Sequence, residues 1–230
     1  MKTLPFLLSL IVMQICTFGQ TPQTITLNNN KLSLDDVKPE LQFIFPDFQK
    51  GSVILKNHPE IKCQLNYNFL LDEVMFIDEN GKKMALANPQ DVLLVYIADR
   101  MFVPTTKGYY EVIERGEVSL VYKWNGSITD KGKQGALGIT TDAPSVVQMN
   151  RISFDAREWK LDVDKEAVLA VEVIPYLKIK AKLIPIKGAK GFLKAIPGKR
   201  SEIKKYIDQN PVNFKKEADL RRLTIFCSSL

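Results

Sequence analysis

Between Gly51 and Trp124 the sequence repeats one pattern: short runs rich in Val, Ile, Leu, Tyr and Phe, each closed by residues that turn the chain. GSVILKN, EIKCQLNYNF, DEVMFID, KKMALAN and DVLLVYIAD follow one another, with His58-Pro59, Asn80-Gly81 and Asn88-Pro89 between them. Runs of this length and composition are strands, and turn pairs at this spacing join neighbours antiparallel. Asn80-Gly81 predicts a two-residue hairpin, because that turn needs positive φ at both central positions and these residues tolerate it best. MFVP, GYYEVIER and EVSLVYKW extend the meander, with Gly116 turning between the last two. Alternation in EVSLVYKW sets Val118, Leu120 and Tyr122 on one face and Ser119, Val121 and Lys123 on the other, the first being the more apolar.

The flanks read differently. Residues 20–50 form a polar leading arm with TITL as a short strand and Pro22, Pro39 and Pro46 as interruptions. Residues 125–150, dense in Gly, Ser, Thr, Asp and Lys, read as a long loop of a length compact domains keep for motion or binding. In VLAVEVIPYLKIKAKLIPI, Leu177, Ile179, Ala181 and Leu183 alternate with Lys178, Lys180 and Lys182, the period of a strand with one wet face. After Ile186 the period becomes helical: Ala189, Phe192, Leu193 and Ile196; then Ile203, Tyr206 and Ile207; then Leu220, Leu223, Cys227 and Leu230. Pro197-Gly198 and Asn210-Pro211 divide these into three short helices, with Ser201 and Asn213 as N-caps. The expected fold is α+β: mainly an antiparallel β meander over 51–186, open or partly closed into a barrel-like sheet, with a basic helical tail over 187–230 packed upon it.

Residues 1–19 have the three parts of a secretory signal peptide: Lys2, an apolar stretch from Leu4 to about Ile15, and the small residues Thr17 and Gly19 at the cut. Cleavage after Gly19 leaves Gln20 as the new terminus. The apolar stretch falls short of the ~20 residues that span a bilayer, and bulky Ile15 before Cys16 argues against a lipid-anchored cysteine. An exported, soluble protein is expected, in the periplasm, at the cell surface or outside, with no membrane span once the signal is removed. Cys63 and Cys227 remain, as one long-range disulfide or as two small buried thiols.

Charge is segregated along the chain. From Lys178 to Arg222 there are 14 Lys and Arg against 4 Asp and Glu, a balance of +10. Without Lys2 the chain carries 31 basic and 26 acidic residues, so the remainder of the mature protein stands near −5. Such a cationic end meets the protein's own acidic body, a partner protein of the envelope or an anionic surface, unless its lysines merely line wet helical faces.

Motifs of catalysis are missing. His58 is the one histidine, in a turn before proline, and no GxSxG, HExxH or nucleotide-binding glycine pattern occurs in a suitable context. NGSITDKGKQGALG brings Lys131 and Lys133 among four glycines, yet Gln134 stands where a phosphate loop needs Ser or Thr, and Gly126 to Gly132 is one residue too long. Asp72-Glu73 are neighbours that face opposite ways in a strand, a poor acid/base pair. Asp162, Asp164 and Glu166 share a face if extended, without the glycine of a calcium loop. No cofactor, metal or nucleic acid is called for. Candidate ligand-binding residues are Trp124, at the mouth of the long loop, with Tyr109 and Tyr122 lining a cavity if the sheet closes, and Lys131 and Lys133 in the loop.

Two stretches, GSVILKN…LNYNFLLDEVMFIDENGKKMALANPQDVLLVYIADRMFV and AIPGKRSEIKKYIDQNPVNFKKEADLRRL, resemble a family of exported proteins common in Bacteroidetes. The resemblance covers a little over half of the mature chain. It implies a periplasmic or surface location and the order β then helices, and brings no established activity or site residues. The expected function is a non-catalytic binding or assembly module of the envelope. The alternatives are a small-molecule or lipid carrier, if the meander closes around a cavity, and a hydrolase built from carboxylates on distant strands.

Overall fold

The structure, a computed structural model, describes residues 23–26, 31–33, 37–130, 146–148, 158–160 and 166–230. The expected signal peptide with Gly19 and Gln20, and Lys131 and Lys133, lie outside the described residues. β1 (Gln23–Thr26) and β2 (Lys31–Ser33) come first, and the meander runs β3 (Gln49–Leu55), β4 (Ile61–Asn68), β5 (Glu73–Ile77), β6 (Lys83–Ala85), β7 (Val92–Ile97), β8 (Arg100–Thr105), β9 (Gly108–Glu114) and β10 (Val118–Asp130). β11 (Val146–Gln148), β12 (Glu158–Lys160), β13 (Glu166–Ile179) and β14 (Lys182–Pro185) follow, then helices α1 (Ala189–Ala195), α2 (Arg200–Gln209) and α3 (Glu217–Ser228).

Ten strands pair antiparallel in the order β1-β13-β10-β9-β8-β7-β3-β4-β5-β6, with β11 added to β10 and β14 to β13; β12 and β2 form a separate pair. Among the described residues the ends of the path, β1 and β6, do not pair with each other, so the sheet is open and not closed into a barrel. The α+β meander with three C-terminal helices is therefore the fold.

Several local expectations change. The Asn80-Gly81 turn is longer than two residues: Asp78 N–H donates to Lys82 O, Gly81 N–H to Asp78 O, and Asp78 Oδ1 accepts from Asn80 and Lys82 N–H. Gly81 takes φ +77 while Asn80 keeps a negative φ, so the Asp78 side chain does what a second left-handed residue would have done. The Lys-rich run after Tyr176 is two strands, because the chain reverses at Lys180 with φ +53 and β14 folds back on β13. The loop from Asn125 is shorter than expected: β10 continues to Asp130, paired with β13 all along, and β11 lies within the remainder. Neither expected cap is a cap, for α2 starts at Arg200 after Lys199 and α3 at Glu217 after Lys216.

One face of the sheet carries both cores. Register pairs Val53 with Val95, Val95 with Phe102, and Phe102 with Glu111, so these residues share a face from β3 to β9. There the sheet rolls on itself around Leu65, Tyr67, Phe69, Val95, Ile97 and Phe102. Glu111 lies opposite Tyr122, and the same face continues on β10 as Val118, Leu120 and Tyr122. Here helices cover it: Phe192 of α1, Ile203 of α2 and Leu220, Leu223 and Cys227 of α3 pack against those residues and Leu177. Each such fully buried large side chain contributes about 1.5–3 kcal/mol, which short helices need because alone they are marginal.

Of the two states the sequence left open for Cys63 and Cys227, the structure has the unbonded one. Both are free thiols, Cys63 against the rolled core and Cys227 inside the helical one, where burial pushes its thiol up to about 12.

The segment before β3 is held down by amides. Asn66, fully buried, donates from Nδ2 to Phe45 O at 2.9 Å and accepts Phe45 N–H at 3.3 Å on Oδ1. Asn68 donates to Gln42 Oε1 and accepts the N–H groups of Leu70 and Leu71, each at 3.0 Å, which fixes the turn after β4.

Candidate functional site

That turn, Phe69 to Asp72, lands on the other end of the roll. Between its pairing with β9, which ends at Tyr122, and with β11, which begins at Ser127, β10 has no strand beside it on that edge among the described residues. The turn fills the gap: Gly126 N–H donates to Phe69 O at 3.3 Å, and a Cβ on Gly126 would stand 2.3 Å from Leu70 Cδ2. Asp72, held at φ +59, completes the seam.

Its carboxylate takes three donors. Oδ1 accepts from Tyr67 OH at 2.7 Å and Tyr109 N–H at 3.1 Å, and Oδ2 pairs with Lys123 Nζ. Lys123 also donates to Tyr109 O at 3.2 Å and lies 5.1 Å from the centroid of the Tyr110 ring. The register between β9 and β10 stops at Glu111, so Tyr109 has no ladder partner on that edge, and the ion pair satisfies both its backbone groups instead. Lys123 and Asp72 side chains are only 6% and 9% exposed. Burial pushes the Asp72 carboxyl up and the Lys123 ammonium down, and each is opposed by the other. Gly108 has φ +91, and a Cβ there would be 1.6 Å from Asp72 Oδ2.

A second buried polar group lies where the two cores meet. Trp124 Nε1 donates to Glu111 Oε2 at 2.7 Å, and Arg100 Nε stands 3.4 Å from Glu111 Oε1. The Arg100 guanidinium sits 5.4 Å from the Phe45 ring and 5.7 Å from that of Trp124. Burial raises the Glu111 carboxyl, against the Arg100 charge and the Trp124 bond. Glu73, beside Asp72, is half-buried with Oε2 unpaired among the described residues; burial, then the Asp72 charge, pushes it up to about 7.

The three aromatic candidates do not converge on one cavity. Trp124 is inside β10, half-buried and stacked on Phe69 at 6.3 Å, so it is not an exposed aromatic at a loop mouth. Tyr109 belongs to the rolled core and Tyr122 to the helical one, with Glu217 of α3 beside its hydroxyl. Sequence reasoning weighed Asp72 only beside Glu73 and placed Lys123 only on a strand face, and missed that the two pair. The available signal was an adjacent acidic pair in FLLDEVMF and a lone lysine in SLVYKWNG, charges set in apolar runs that call for each other. Among the described residues, no group of three or more His, Cys, Asp or Glu is placed to hold a metal ion, and no helix is long and apolar enough to cross a membrane.

No protein-family model matches this chain, and neither a curated protein nor a solved structure matches it.

Proposed function

We propose that the chain is an exported, non-catalytic binding or assembly module of the cell envelope, with the outward face of its helical layer as the binding surface. The observation that carries this reading is the charge on that face. At the exposed charged positions of α1–α3, Lys190, Lys194, Arg200, Lys204, Lys205, Arg221 and Arg222 are basic and Asp208 alone is acidic. The other acids are drawn inward or paired: Asp219 accepts Asn213 N–H at 2.8 Å and binds Arg222, Glu217 lies 3.6 Å from Arg221, and Glu202 lies 3.5 Å from Lys199. All three helices bury their apolar stripes on the sheet, so their exposed residues point the same way, away from it.

The buried polar groups support the same reading. Asp72 and Lys123 spend their bonding capacity on each other and on the seam, and Glu111 is held by Trp124 and Arg100. A carrier needs room inside the roll, and Leu65, Tyr67, Phe69, Ile97 and Phe102 occupy it. Crosslinking in intact cells, followed by mass spectrometry, tests the proposal. Reproducible adducts that Lys204→Glu/Lys205→Glu abolishes are expected; adducts indifferent to that change, or none, contradict it.

A further inference from the structure

We infer that the helical layer docks on a bilayer surface rich in anionic phospholipid; this rests on the reading of that layer as the binding surface and names what it binds. The first observation is which cations are free. Arg200 Nε donates to Leu193 O at 3.1 Å, Arg221 pairs with Glu114 at 3.2 Å, and Arg222 pairs with Asp219. Lys190, Lys194, Lys204 and Lys205 make no ion pair among the described residues. Bidentate recognition of a defined carboxylate or phosphate group favours the planar fork of arginine, and here every exposed helical arginine is engaged. Four exposed point charges without an ion pair, spread over two helices, fit a diffuse plane of phosphates instead.

The second observation is Ile225. It is 53% exposed, one of four large apolar side chains left outside among the described residues, and it lies one turn after Arg221 and Arg222 on α3. Next to it Phe226 stacks on Tyr206 of α2 with ring centroids 4.3 Å apart, which ties Ile225 to the helix bearing Lys204 and Lys205. An apolar tip one turn from Arg221 and Arg222, on the layer that also carries the four lysines, is the pattern of a surface that sits in the headgroup layer, charge holding it there and the tip entering the acyl boundary.

Sedimentation of the full chain with vesicles tests this, using phosphatidylcholine alone and phosphatidylcholine with about a third phosphatidylglycerol. Binding is expected with the anionic lipid and is expected to fall steeply as salt is raised to ~0.5 M. Each lysine near such a surface contributes about fivefold in partitioning, so Lys204→Glu/Lys205→Glu costs about 25-fold or more. Ile225→Ser costs about fivefold. Lys62→Glu/Lys82→Glu, the same charge change on exposed positions of the meander, changes partitioning by less than about twofold. Thermal melts matching wild type show that each variant folds. Equal partitioning of Lys204→Glu/Lys205→Glu and wild type, or equal binding to both vesicles, overturns the inference. If vesicles fail to bind while the cellular adducts remain sensitive to that double change, the lipid surface is wrong and the binding module stands; if neither responds, both fall.

Discussion

A lysine that leaves water loses several kcal/mol of hydration unless partners replace it, and Lys123 finds them in the Asp72 carboxylate, the Tyr109 carbonyl and the Tyr110 ring. Removing one member is therefore costly. Asp72→Ala strands Lys123, the Tyr67 hydroxyl and the Tyr109 N–H together, and is expected to destabilise by about 3–5 kcal/mol in urea unfolding. Lys123→Met added to it should recover about 1–3 kcal/mol, since the uncompensated charge is gone. Gly108→Ala, which drives a methyl into Asp72, should resemble Asp72→Ala although it removes no charge. Glu73 gives a pH dependence. Its carboxyl holds a proton in the fold up to about 7 against an ordinary 4.5, so the folded state binds more protons and stability falls as pH rises through that window. Because the group is only half-buried, the loss is on the order of 1 kcal/mol after screening. Glu73→Gln should melt about 2–4 °C above wild type near pH 8, with the gap closing below about pH 4.5. At this scale little was legible: alternation placed Lys123 on the less apolar face, and nothing local says that a turn 51 residues earlier in the chain comes to cover it.

The β runs and the apolar helical stripes were legible as elements, since side-chain period and turn residues act within a few positions. Errors fell where long-range pairing overrode local signals. Asn125 to Asp130 look like loop but are strand, because β13 supplies a partner for every residue. Lys180-Ala181 carries no turn signature, yet β14 gains β13 as partner by reversing there. The last residue of α3 shows how element joins to element: Ser228 Oγ donates to Val118 O at 2.7 Å and accepts Val118 N–H at 3.2 Å, latching the helix to the first residue of β10. Ser228→Ala leaves both groups without this partner and is expected to lower stability by about 1–3 kcal/mol. Hydrogen exchange should then rise at Val118 and through α3 more than in β3–β5.

Over the whole molecule, one sheet face is used twice, rolled on itself in one half and roofed by helices in the other. The roof puts its cations outside and its acids against them, an arrangement legible in sequence only as a net +10 between Lys178 and Arg222. Export belongs to this scale as well. N-terminal sequencing of the protein from the envelope or medium is expected to begin at Gln20, and an intact Met1 there would contradict the signal reading. The central claim is that the helical face, and not the meander, meets the partner surface. Placing a photocrosslinking residue at Lys205 or, separately, at Lys82, and irradiating intact cells, tests it most directly. Adducts to lipid or protein from position 205 and none from position 82 are predicted; equal yields, or adducts from position 82 alone, would contradict the account.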